Sequence, residues 1–332
     1  MSIRVGIVGV SGYGGGEVLR LCATHPTFEL VYVAGESSAG QKLVERFPGV
    51  GLGQARSGRN LGDLVVQKWD PAALPQLDVL FASLPTGESK AGLAAVPART
   101  KIVDIGGDHR AVEGWTYGLA DVWPDKIRNA TRVANPGCYP AASLAALAPL
   151  MANNLIEPAG IIVDAKSGVS GAGRGGGSTF GFAEVNEDVS AYGLLKHSHV
   201  PEMVATLSTL GGTQASLTFT PHLIPMTRGI LSTCYARGRG GVTTEQCLET
   251  ARRFYAGRPF VRVIDKPPHS KWATGSNLAY VSYAADPERG VVIALGAIDN
   301  LGKGAAGQAV QNANLITGQP ETAGLEGTPL WP

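Results

Sequence analysis

The chain has 332 residues and a formal net charge of +1, so it lacks an overall field that would attract nucleic acid or an anionic membrane surface. Charged residues make up 17% of it, below the roughly 25% of an average soluble domain, which indicates large buried surfaces including subunit interfaces. No apolar run approaches the ~18 residues of a membrane span, and the N-terminus lacks a signal peptide, so we expect a cytoplasmic protein. The length predicts about two domains, at roughly 150 residues each.

The first predicted element is a buried strand from Ile3 to Val8, followed by a glycine-rich loop and a helix. The loop reads GVSGYGG, and its G-x-x-G-x-x-G spacing can bring backbone amides close to the phosphates of a dinucleotide. A glycine-rich turn of an ordinary α/β domain is the alternative interpretation. The order of strand, loop and helix favours the dinucleotide, and the residues that we expect to bind it are Gly9, Ser11, Gly12, Tyr13 and Gly15.

The second strand, from Leu30 to Ala34, is followed by residues that bear on the choice between NAD and NADP. At this position an acid such as Glu36 binds the ribose 2′-hydroxyl of NAD, whereas hydroxyls with a nearby cation suit the 2′-phosphate of NADP. The chain has the acid, a pair of serines and a lysine at position 42. We expect NADP, bound through Ser37 and Ser38.

Three further buried strands are predicted, at Leu64 to Val66, Val79 to Ala82 and Ile102 to Asp104. Their alternation with loops and helical stretches indicates a doubly wound parallel sheet of the Rossmann type, which binds its ligands at the carboxyl ends of the strands. Arg110 follows one of these ends closely. It is a candidate for holding an anionic group of the substrate, and an ordinary surface loop is the alternative.

A lone cysteine stands in the motif NPGCYP, from Asn135 to Pro140, between a predicted strand and an alanine-rich helix. A thiol at a helix N-terminus faces backbone N–H groups and the positive end of the helix dipole, which favour its nucleophilic thiolate form. The amides around the preceding glycine can hold a developing oxyanion. A buried core cysteine is the alternative. We assign the nucleophile to Cys138, and we expect structural roles for Cys22, Cys234 and Cys247 with no disulfide or zinc site.

After this helix the pattern changes to that of an α+β domain with a mainly antiparallel sheet. A glycine-rich stretch from Lys166 to Gly177 predicts a loop without regular structure, which can present its amides to an anion or move aside for a substrate. A final helix from Gly304 to Thr317 is polar on one side and is expected to pack back on the first domain. A helix is also predicted, from Thr244 to Tyr255. The predicted strands of this domain are Ile161 to Ala165, Ile230 to Tyr235, Leu278 to Ala284 and Val291 to Leu295.

Two of the six histidines, His197 and His199, stand one residue apart in KHSHVPE. Alternate residues of an extended backbone point the same way, so both side chains are predicted to face one cavity. A metal site lacks an evident third ligand, and a general acid/base is the better interpretation. His25 is predicted to lie at the surface. A thiolate, a histidine and a nicotinamide cofactor together fit a reaction that captures an acyl group as a thioester and reduces it to an aldehyde.

Six motifs in chain order resemble the N-acetyl-gamma-glutamyl-phosphate reductase family, the arginine-pathway relatives of aspartate-semialdehyde dehydrogenase. They are GVSGYGG, NPGCYP, SGVSGAGRG, KHSHVPEM, PHLIPMTRGI and KGAAGQAVQN. The resemblance implies an NADP-dependent enzyme that reduces N-acetyl-gamma-glutamyl phosphate to the semialdehyde and phosphate. It places the nucleophile on Cys138 and the acid/base on His199, with His197 as the alternative, and brings Asn312 towards the nicotinamide. On this basis we add Ser170 and Gly171 to the cofactor site, and Arg110, Asn135 and Arg228 to the substrate site.

The resemblance also implies the domain organisation and the assembly. Residues 1–137 with 303–332 form the NADP-binding domain, and residues 138–302 form a catalytic and oligomerisation domain, in a homodimer or homotetramer. Two alternatives stay open. A related enzyme of lysine biosynthesis reduces an aminoadipyl or glutamyl phosphate bound to an acidic carrier protein, and a nucleotide-sensing protein keeps the fold without the chemistry. A carrier-using enzyme would need a basic rim, for which the candidates are Arg174, Arg228, Arg237 and Arg239.

Overall fold

The computed structural model describes residues 2–52, 58, 60–174 and 178–331. Residues 175–177, the glycines that end the predicted loop, lie outside the described residues. No helix in the described part of the chain is long and apolar enough to cross a membrane.

The chain divides into two compact units, and each is built from two stretches of sequence. One boundary falls inside the NPGCYP motif, between Pro136 and Gly137. The first unit comprises Met1–Pro136 and Ala305–Gly327, and the second comprises Gly137–Gly304 and Thr328–Pro332.

The first unit is built on a parallel sheet whose strands are short, apolar and largely buried. Its strands are β1 (Ile3–Val8), β2 (Phe28–Ala34), β3 (Val79–Ala82), β4 (Lys101–Asp104), β5 (Thr116–Tyr117) and β6 (Arg132–Ala134). Within the described residues the strand order is β2-β1-β3-β4-β6-β5, and all pairs are parallel. Because β2 lies on one side of β1 and β3 on the other, the strand order reverses at β1 and leaves a crevice at its carboxyl end. This is the Rossmann-type sheet that the sequence predicts.

The predicted strand at Leu64 to Val66 is wrong. Leu64 and Val66 are buried, which explains the apolar pattern. The backbone there pairs only through isolated bridges, such as the one between Lys42 and Val65. The apolar pattern therefore reflects the burial of these side chains, whereas their backbone does not form a continuous strand. The helices of this part of the chain are α1 (Tyr13–Ala23), α2 (Leu43–Arg46), α3 (Ser89–Leu93) and α4 (Pro124–Arg128).

The second unit holds a mixed, mainly antiparallel sheet, as the sequence predicts. Its strands are β7 (Ile161–Gly168), β8 (Ser190–Ala191), β9 (Leu217–Ile224), β10 (Ile230–Arg237), β11 (Val261–Val263), β12 (Ala279–Asp286) and β13 (Val291–Ile298). In the part of the unit that the structure describes, their order is β11-β12-β13-β10-β7-β9-β8. The β11/β12 and β7/β9 pairs are parallel, and the other pairs are antiparallel.

Helices cover one face of this sheet. The helix that begins at the motif cysteine is buried from Tyr139 to Met151, as expected of a helix that is apolar all round. It packs against β10 and β13 and against two other helices of the unit. The helix that starts at Thr244 is preceded by a capping box between Thr243 and Gln246. The helices are α5 (Cys138–Ala152), α6 (Phe182–Val185), α7 (Val200–Gly211) and α8 (Thr244–Phe254).

The glycine-rich stretch after β7 is more regular than the sequence predicts. The strand continues to Gly168, whose N–H donates to the carbonyl of Gly229 at 2.9 Å, and Val169–Ala172 form a 3₁₀ turn. The prediction of a loop without regular structure is therefore wrong for residues 166–172. The reason is that pairing with β9 and β10 extends the strand beyond its apolar residues.

The last helix, α9 (Gly307–Ile316), belongs to the first unit and packs against α1, α4 and β4. Its polar side chains are buried, and they find their hydrogen-bond partners inside the unit. The prediction of a surface position for His25 is wrong, because this helix covers it. His25 Nε2 lies 3.0 Å from Asn314 Oδ1, and its ring stacks on Phe28 with centroids 3.7 Å apart.

Candidate active site

The cysteine of NPGCYP is the first residue of α5, and Gly137 caps that helix. Cys138 is partly exposed, whereas the other three cysteines are buried. Burial raises the pKa of the Cys234 thiol to about 12 and that of Cys247 to about 11, and it holds the pKa of Cys22 above its ordinary value. Those three sulfurs are therefore protonated and enclosed at neutral pH. The accessible thiol is the one at the helix start.

His199 and Glu202 lie against the residue that precedes the cysteine. Both belong to the start of α7, where His199 is the N-cap and a proline follows in the first turn. A Cβ placed on Gly137 would come within 2.4 Å of His199 Nε2 and 2.8 Å of Glu202 Oε1. Glycine at this position therefore leaves the room that both side chains occupy.

Glu202 is a buried acid that the sequence analysis did not single out. Its Oε2 accepts the N–H of Gly137 at 3.1 Å, and its Oε1 lies 3.9 Å from His199 Nε2. A hydrogen bond to a charged acceptor is among the stronger ones, and this one holds the turn in front of the cysteine. The signal that could have found it is the i, i+3 spacing from His199 at the start of a helix, which brings the two side chains together.

His197 stands beside His199. Its Nδ1 accepts the backbone N–H of His199 at 3.2 Å, and the two ring centroids are 4.6 Å apart. The two rings are thus close together, as predicted, but the extended backbone assumed for them is wrong, since His199 has helical angles (φ −81°, ψ −12°). The ring of His197 packs at steep angles against those of Tyr139, Tyr192 and Phe219, at centroid distances of 5.9, 5.5 and 5.1 Å.

A turn from Asp299 to Gly304 packs against the cysteine. A Cβ placed on Gly304 would lie 2.9 Å from the Cβ of Cys138, so the two residues are in direct contact. The backbone carbonyl of Asp299 accepts the N–H of Gly304 at 2.8 Å. The carboxylate of Asp299 lies 3.4 Å from the guanidinium of Arg228. Arg228, one of the predicted substrate contacts, is therefore tied to the turn that packs on Cys138.

Ser170 and Gly171 lie in the second unit, in the 3₁₀ turn that follows β7. Ser170 is buried, and its hydroxyl accepts a hydrogen bond from the side-chain amide of Asn300 at 2.9 Å. Gly171 is exposed. Their assignment to the cofactor stays a prediction.

The glycine-rich loop of the first unit has the geometry that a dinucleotide needs. Gly9 has a φ of 81°, and a Cβ there would meet the carbonyl oxygen of Ser83 at 2.1 Å. A Cβ on Gly15 would meet the carbonyl oxygen of Gly9 at 2.2 Å, so both positions require glycine. The loop opens onto a crevice of about 380 Å³ at the ends of β1, β2 and β3, and backbone amides at such a place fit the phosphates of a nucleotide. The crevice is lined by Gly9, Ser11, Gly12, Glu36 and Ser37, among others.

The predicted cofactor residues differ in accessibility. Glu36 and Ser37 are exposed at the crevice, and Tyr13, the first residue of α1, is 45% exposed. Ser38 is buried, and its hydroxyl bonds to that of Ser11. Ser37 is therefore accessible to a ligand, whereas Ser38 is bound to the glycine-rich loop.

Arg110, Asn135 and Asn312 form a hydrogen-bonded chain in the first unit. Arg110 Nε donates to the carbonyl oxygen of Asn135 at 3.0 Å, and Asn312 Nδ2 donates to Asn135 Oδ1 at 3.0 Å. Asn312 also donates to the carbonyl of Gly118 at 2.9 Å, and both asparagines are fully buried. The structure brings these three predicted residues together, and their contacts with substrate and nicotinamide stay predictions.

Curated relatives match the chain from end to end. N-acetyl-gamma-glutamyl-phosphate reductases from Bradyrhizobium sp. and Methylobacterium sp. are each 68% identical to it, and one from Symbiobacterium thermophilum is 44% identical. In each case the match covers 100% of this chain and 100% of the relative. The chain belongs to the N-acetyl-gamma-glutamyl-phosphate reductase family.

Two family models match most of the chain, and solved structures share its fold. A model described as semialdehyde dehydrogenase, NAD binding domain, matches residues 4–130, and one described as semialdehyde dehydrogenase, dimerisation domain, matches residues 138–300. Aspartate semialdehyde dehydrogenase II from Vibrio cholerae is 20% identical, with a TM-score of 0.74 over 96% of this chain and 99% of that one. Aspartate semialdehyde dehydrogenase with NADP from Candida albicans is 17% identical, with a TM-score of 0.73 over 95% and 98%. At these identities the likeness concerns the fold alone.

The predictions of the family, of the fold class and of a nicotinamide-dependent oxidoreductase are therefore confirmed. The residues that sequence reasoning missed are Glu202, Asp299 and Asn300. Each is a buried polar side chain whose hydrogen-bond partners include residues from another part of the chain.

Proposed function

We propose that this protein reduces N-acetyl-gamma-glutamyl phosphate to N-acetylglutamate semialdehyde and phosphate, with NADPH as the hydride donor, as a cytoplasmic enzyme of arginine biosynthesis. The observation that carries the proposal is the partly exposed thiol of Cys138 at the start of α5, with His199 and Glu202 packed on the residue before it. The name of the relatives supplies the substrate, and the side chains of the site supply the chemistry that this substrate requires.

The thiol is the group that captures the acyl carbon. Its proton passes to His199, and the thiolate at the helix N-terminus is stabilised by backbone N–H groups and the helix dipole. When Cys138 Sγ bonds to the acyl carbon, the bond from that carbon to the phosphate oxygen breaks, and the departing phosphate takes the proton from His199. The acyl group is then held as a thioester.

The thioester is reduced on the same sulfur. Bound NADPH supplies the hydride for the carbonyl carbon. The N–H of Gly137 is bound to Glu202, so the backbone N–H groups of Cys138 and Tyr139, at the start of α5, stabilise the oxyanion that results. When this oxyanion collapses, the carbon–sulfur bond breaks, the aldehyde leaves and Cys138 returns to its thiolate. A proton from solvent then re-forms the Cys138 thiol, so one hydride and one proton are consumed in each turnover.

Two neighbours orient His199 in this scheme. Glu202 favours the imidazolium that forms when the thiol loses its proton, because its carboxylate lies 3.9 Å from Nε2. His197 accepts the backbone N–H of His199 and supports the turn. The choice of His199 over His197 as the acid/base is supported by its contact with Gly137.

NADP is preferred over NAD because of the residues that follow β2. The hydroxyl of Ser37 is exposed at the crevice and suits a 2′-phosphate. Glu36 lies next to it and would suit the 2′-hydroxyl of NAD, so the two cofactors must be compared directly. We expect a lower KM for NADPH than for NADH.

The free N-acetylated substrate is preferred over a carrier-bound one. The relatives that match the whole chain at 68% identity are named for the N-acetylated phosphate, which supports the free substrate.

The second unit is proposed to form a homodimer through the face of its sheet that lies opposite the helices. Ile162 and Tyr235 pair across β7 and β10 on that face, and they are 46% and 38% exposed. The family model for residues 138–300 is described as a dimerisation domain. We expect Tyr235→Lys to shift the protein towards monomer in sedimentation velocity. Val65→Lys, which changes an exposed apolar side chain of the first unit, should not.

The test of the proposed function is turnover in the reverse direction. The protein is mixed with NADP, phosphate and N-acetylglutamate semialdehyde, and the NADPH absorbance band is followed. Cys138→Ser should keep cofactor binding and lose nearly all activity, since a hydroxyl is a far poorer nucleophile at neutral pH. Cys234→Ser is the matched control, because Cys234 is buried in the same unit and lies 3.4 Å from the hydroxyl of Ser232.

Two results would contradict the proposal. The first is absence of turnover in the wild-type protein, and the second is an active Cys138→Ser variant. For the acid/base, His199→Asn should lower kcat far more than it weakens NADP binding. An equal loss in His197→Asn alone would move the assignment to His197.

A further inference from the structure

Two buried polar residues at the end of β13, Asp299 and Asn300, take no part in the reaction proposed above. They are 0% and 2% exposed. Burying a carboxylate is unfavourable unless donors surround it, so its presence in the core needs a physical reason. The reason is found in the segments that these two side chains join.

The carboxylate of Asp299 binds three segments at once. Oδ1 accepts the N–H groups of Leu301 and Gly302 at 2.8 and 3.0 Å, which shapes the turn that follows. Oδ2 accepts the N–H of Gly275 at 2.6 Å and lies 3.4 Å from the guanidinium of Arg228. One side chain therefore fixes its own turn, a distant loop and an arginine.

Asn300 holds the backbone beside the same arginine. Its Oδ1 accepts the N–H of Gly229 at 2.8 Å, and its Nδ2 donates to the hydroxyl of Ser170 at 2.9 Å. Gly229 follows Arg228 directly in the chain. The asparagine thus connects the turn after β7 to the segment that carries the arginine, while the aspartate holds the side chain of that arginine.

The turn held by Asp299 also packs on the nucleophile. The backbone carbonyl of Asp299 accepts the N–H of Gly304, and Gly304 contacts Cys138. Arg228 is 26% exposed, so its guanidinium is bound to a buried carboxylate on one side and reaches solvent on the other. A planar guanidinium can bind two anionic groups through different N–H donors, which suits an arginine held in this way.

We propose that Asp299 is a positioning residue that holds Arg228 against the turn that packs on the reactive cysteine, so that the accessible edge of the arginine binds an anionic group of the substrate, while Asn300 fixes the backbone around it. The anion is a phosphate or a carboxylate, since both match the guanidinium fork. This proposal rests on the function proposed above and specifies how its substrate site is built.

The kinetic test uses Asp299→Asn, which keeps the shape of the side chain and removes its charge. We expect KM for phosphate or for the aldehyde to rise by about 10–100-fold, the loss associated with a hydrogen bond to a charged group, while Kd for NADP is unchanged. Asp286→Asn is the matched control. Asp286 lies at the other end of the β12–β13 hairpin, accepts two backbone N–H groups and is partly exposed. Unchanged KM values for both ligands in Asp299→Asn would overturn the proposal.

A double variant separates positioning from general support of the fold. If Asp299 acts through Arg228, adding Asp299→Asn to Arg228→Gln should raise KM little further. If KM of the double variant instead rises by the product of the two single increases, Asp299 acts independently of Arg228, and the proposal would be overturned. If Asp299→Asn does not fold, Arg228→Lys replaces it. That variant keeps the charge and loses the fork, and an unchanged KM for both ligands would again overturn the proposal.

A binding test keeps this proposal distinct from the proposed function. Inorganic phosphate and N-acetylglutamate are each used to protect Cys138 of the full chain from alkylation by iodoacetamide, and the more protective one identifies the anion. We expect protection in the wild type and a shift of at least tenfold in the half-protective concentration in Asp299→Asn. Equal protection of both proteins would overturn the proposal, whether or not the wild type turns over. An inactive wild type with the expected shift would contradict only the proposed function.

Discussion

Substituting Gly137 by alanine tests the geometry around the cysteine with one methyl group. Its backbone is extended (φ −65°, ψ 155°), so alanine adopts it without strain. The new Cβ would meet His199 Nε2 at 2.4 Å and Glu202 Oε1 at 2.8 Å. Ordinary contacts begin at about 3.5 Å, so the imidazole must move away by about 1 Å.

A displacement of this size should act on the rate more than on stability. Both atoms stand at the ends of side chains that can swing aside, so we expect a change of a few degrees at most in Tm. A misplacement of about 1 Å in an active site can cost about 10²-fold in rate. We therefore expect kcat to fall by about that factor in Gly137→Ala, with Kd for NADP unchanged.

The assay is the reverse reaction with NADP and phosphate, followed at the NADPH absorbance band, with thermal unfolding measured on the same samples. Gly327→Ala is the matched control, because a Cβ there meets no atom within 4 Å. A kcat for Gly137→Ala within about twofold of the wild-type value, a difference of less than ~0.5 kcal/mol, would contradict this expectation. A fall in rate that merely equals the fraction of unfolded protein in the sample would contradict it as well.

Three further predictions concern thiol reactivity, cofactor choice and acid stability. At pH 7.5 iodoacetamide should modify one thiol per chain and none in Cys138→Ser, because burial raises the pKa of the other three cysteines; a second reactive thiol would contradict this. Ser37→Asp should raise KM for NADPH at least tenfold by repelling the 2′-phosphate and leave KM for NADH nearly unchanged; equal effects on both would move the 2′-phosphate site elsewhere. Burial acts to raise the pKa of Asp108, but the N–H groups of Gly87 and Lys90 lower it below its ordinary value. Its stabilising effect is therefore present above the unfolded pKa of about 3.9 and lost as pH falls through the lower folded pKa. The Tm gap between the wild type and Asp108→Asn should stay constant from pH 8 to 5 and shrink in more acidic buffer, and a gap that widens there would contradict the argument.

The glycine-rich loop and the NPGCYP turn could be predicted because their constraints are largely local. Gly9 and Gly15 must be glycine since a Cβ at either would clash within the loop or with the end of the neighbouring β3. The cysteine follows a strand and a Pro-Gly pair, and that order is enough to place it at the first position of a helix. Alternating apolar residues likewise predicted β10, β12 and β13 to within a few residues.

The errors arose where burial came from a distant part of the chain. His25 looked like a surface residue, but α9 covers it from a position 289 residues away along the sequence. Leu64 and Val66 are buried without joining the sheet, so the apolar signal was correct and the element was wrong. The strand β7 runs on into its glycines because two neighbouring strands supply hydrogen-bond partners there.

The fold class and the place of the candidate nucleophile could be predicted from the order of residues, because short-range sterics and residue periodicity act within a few residues. The family followed from the resemblance of six ordered motifs. The packing of distant segments settled which histidine contacts Gly137. It also placed the buried acid Glu202 beside that glycine, and the buried acid Asp299 in the turn that packs on Cys138. A buried charge is tolerated only where donors from separate segments converge on it. Such convergence is a property of the packed chain and leaves no periodic trace in the order of its residues.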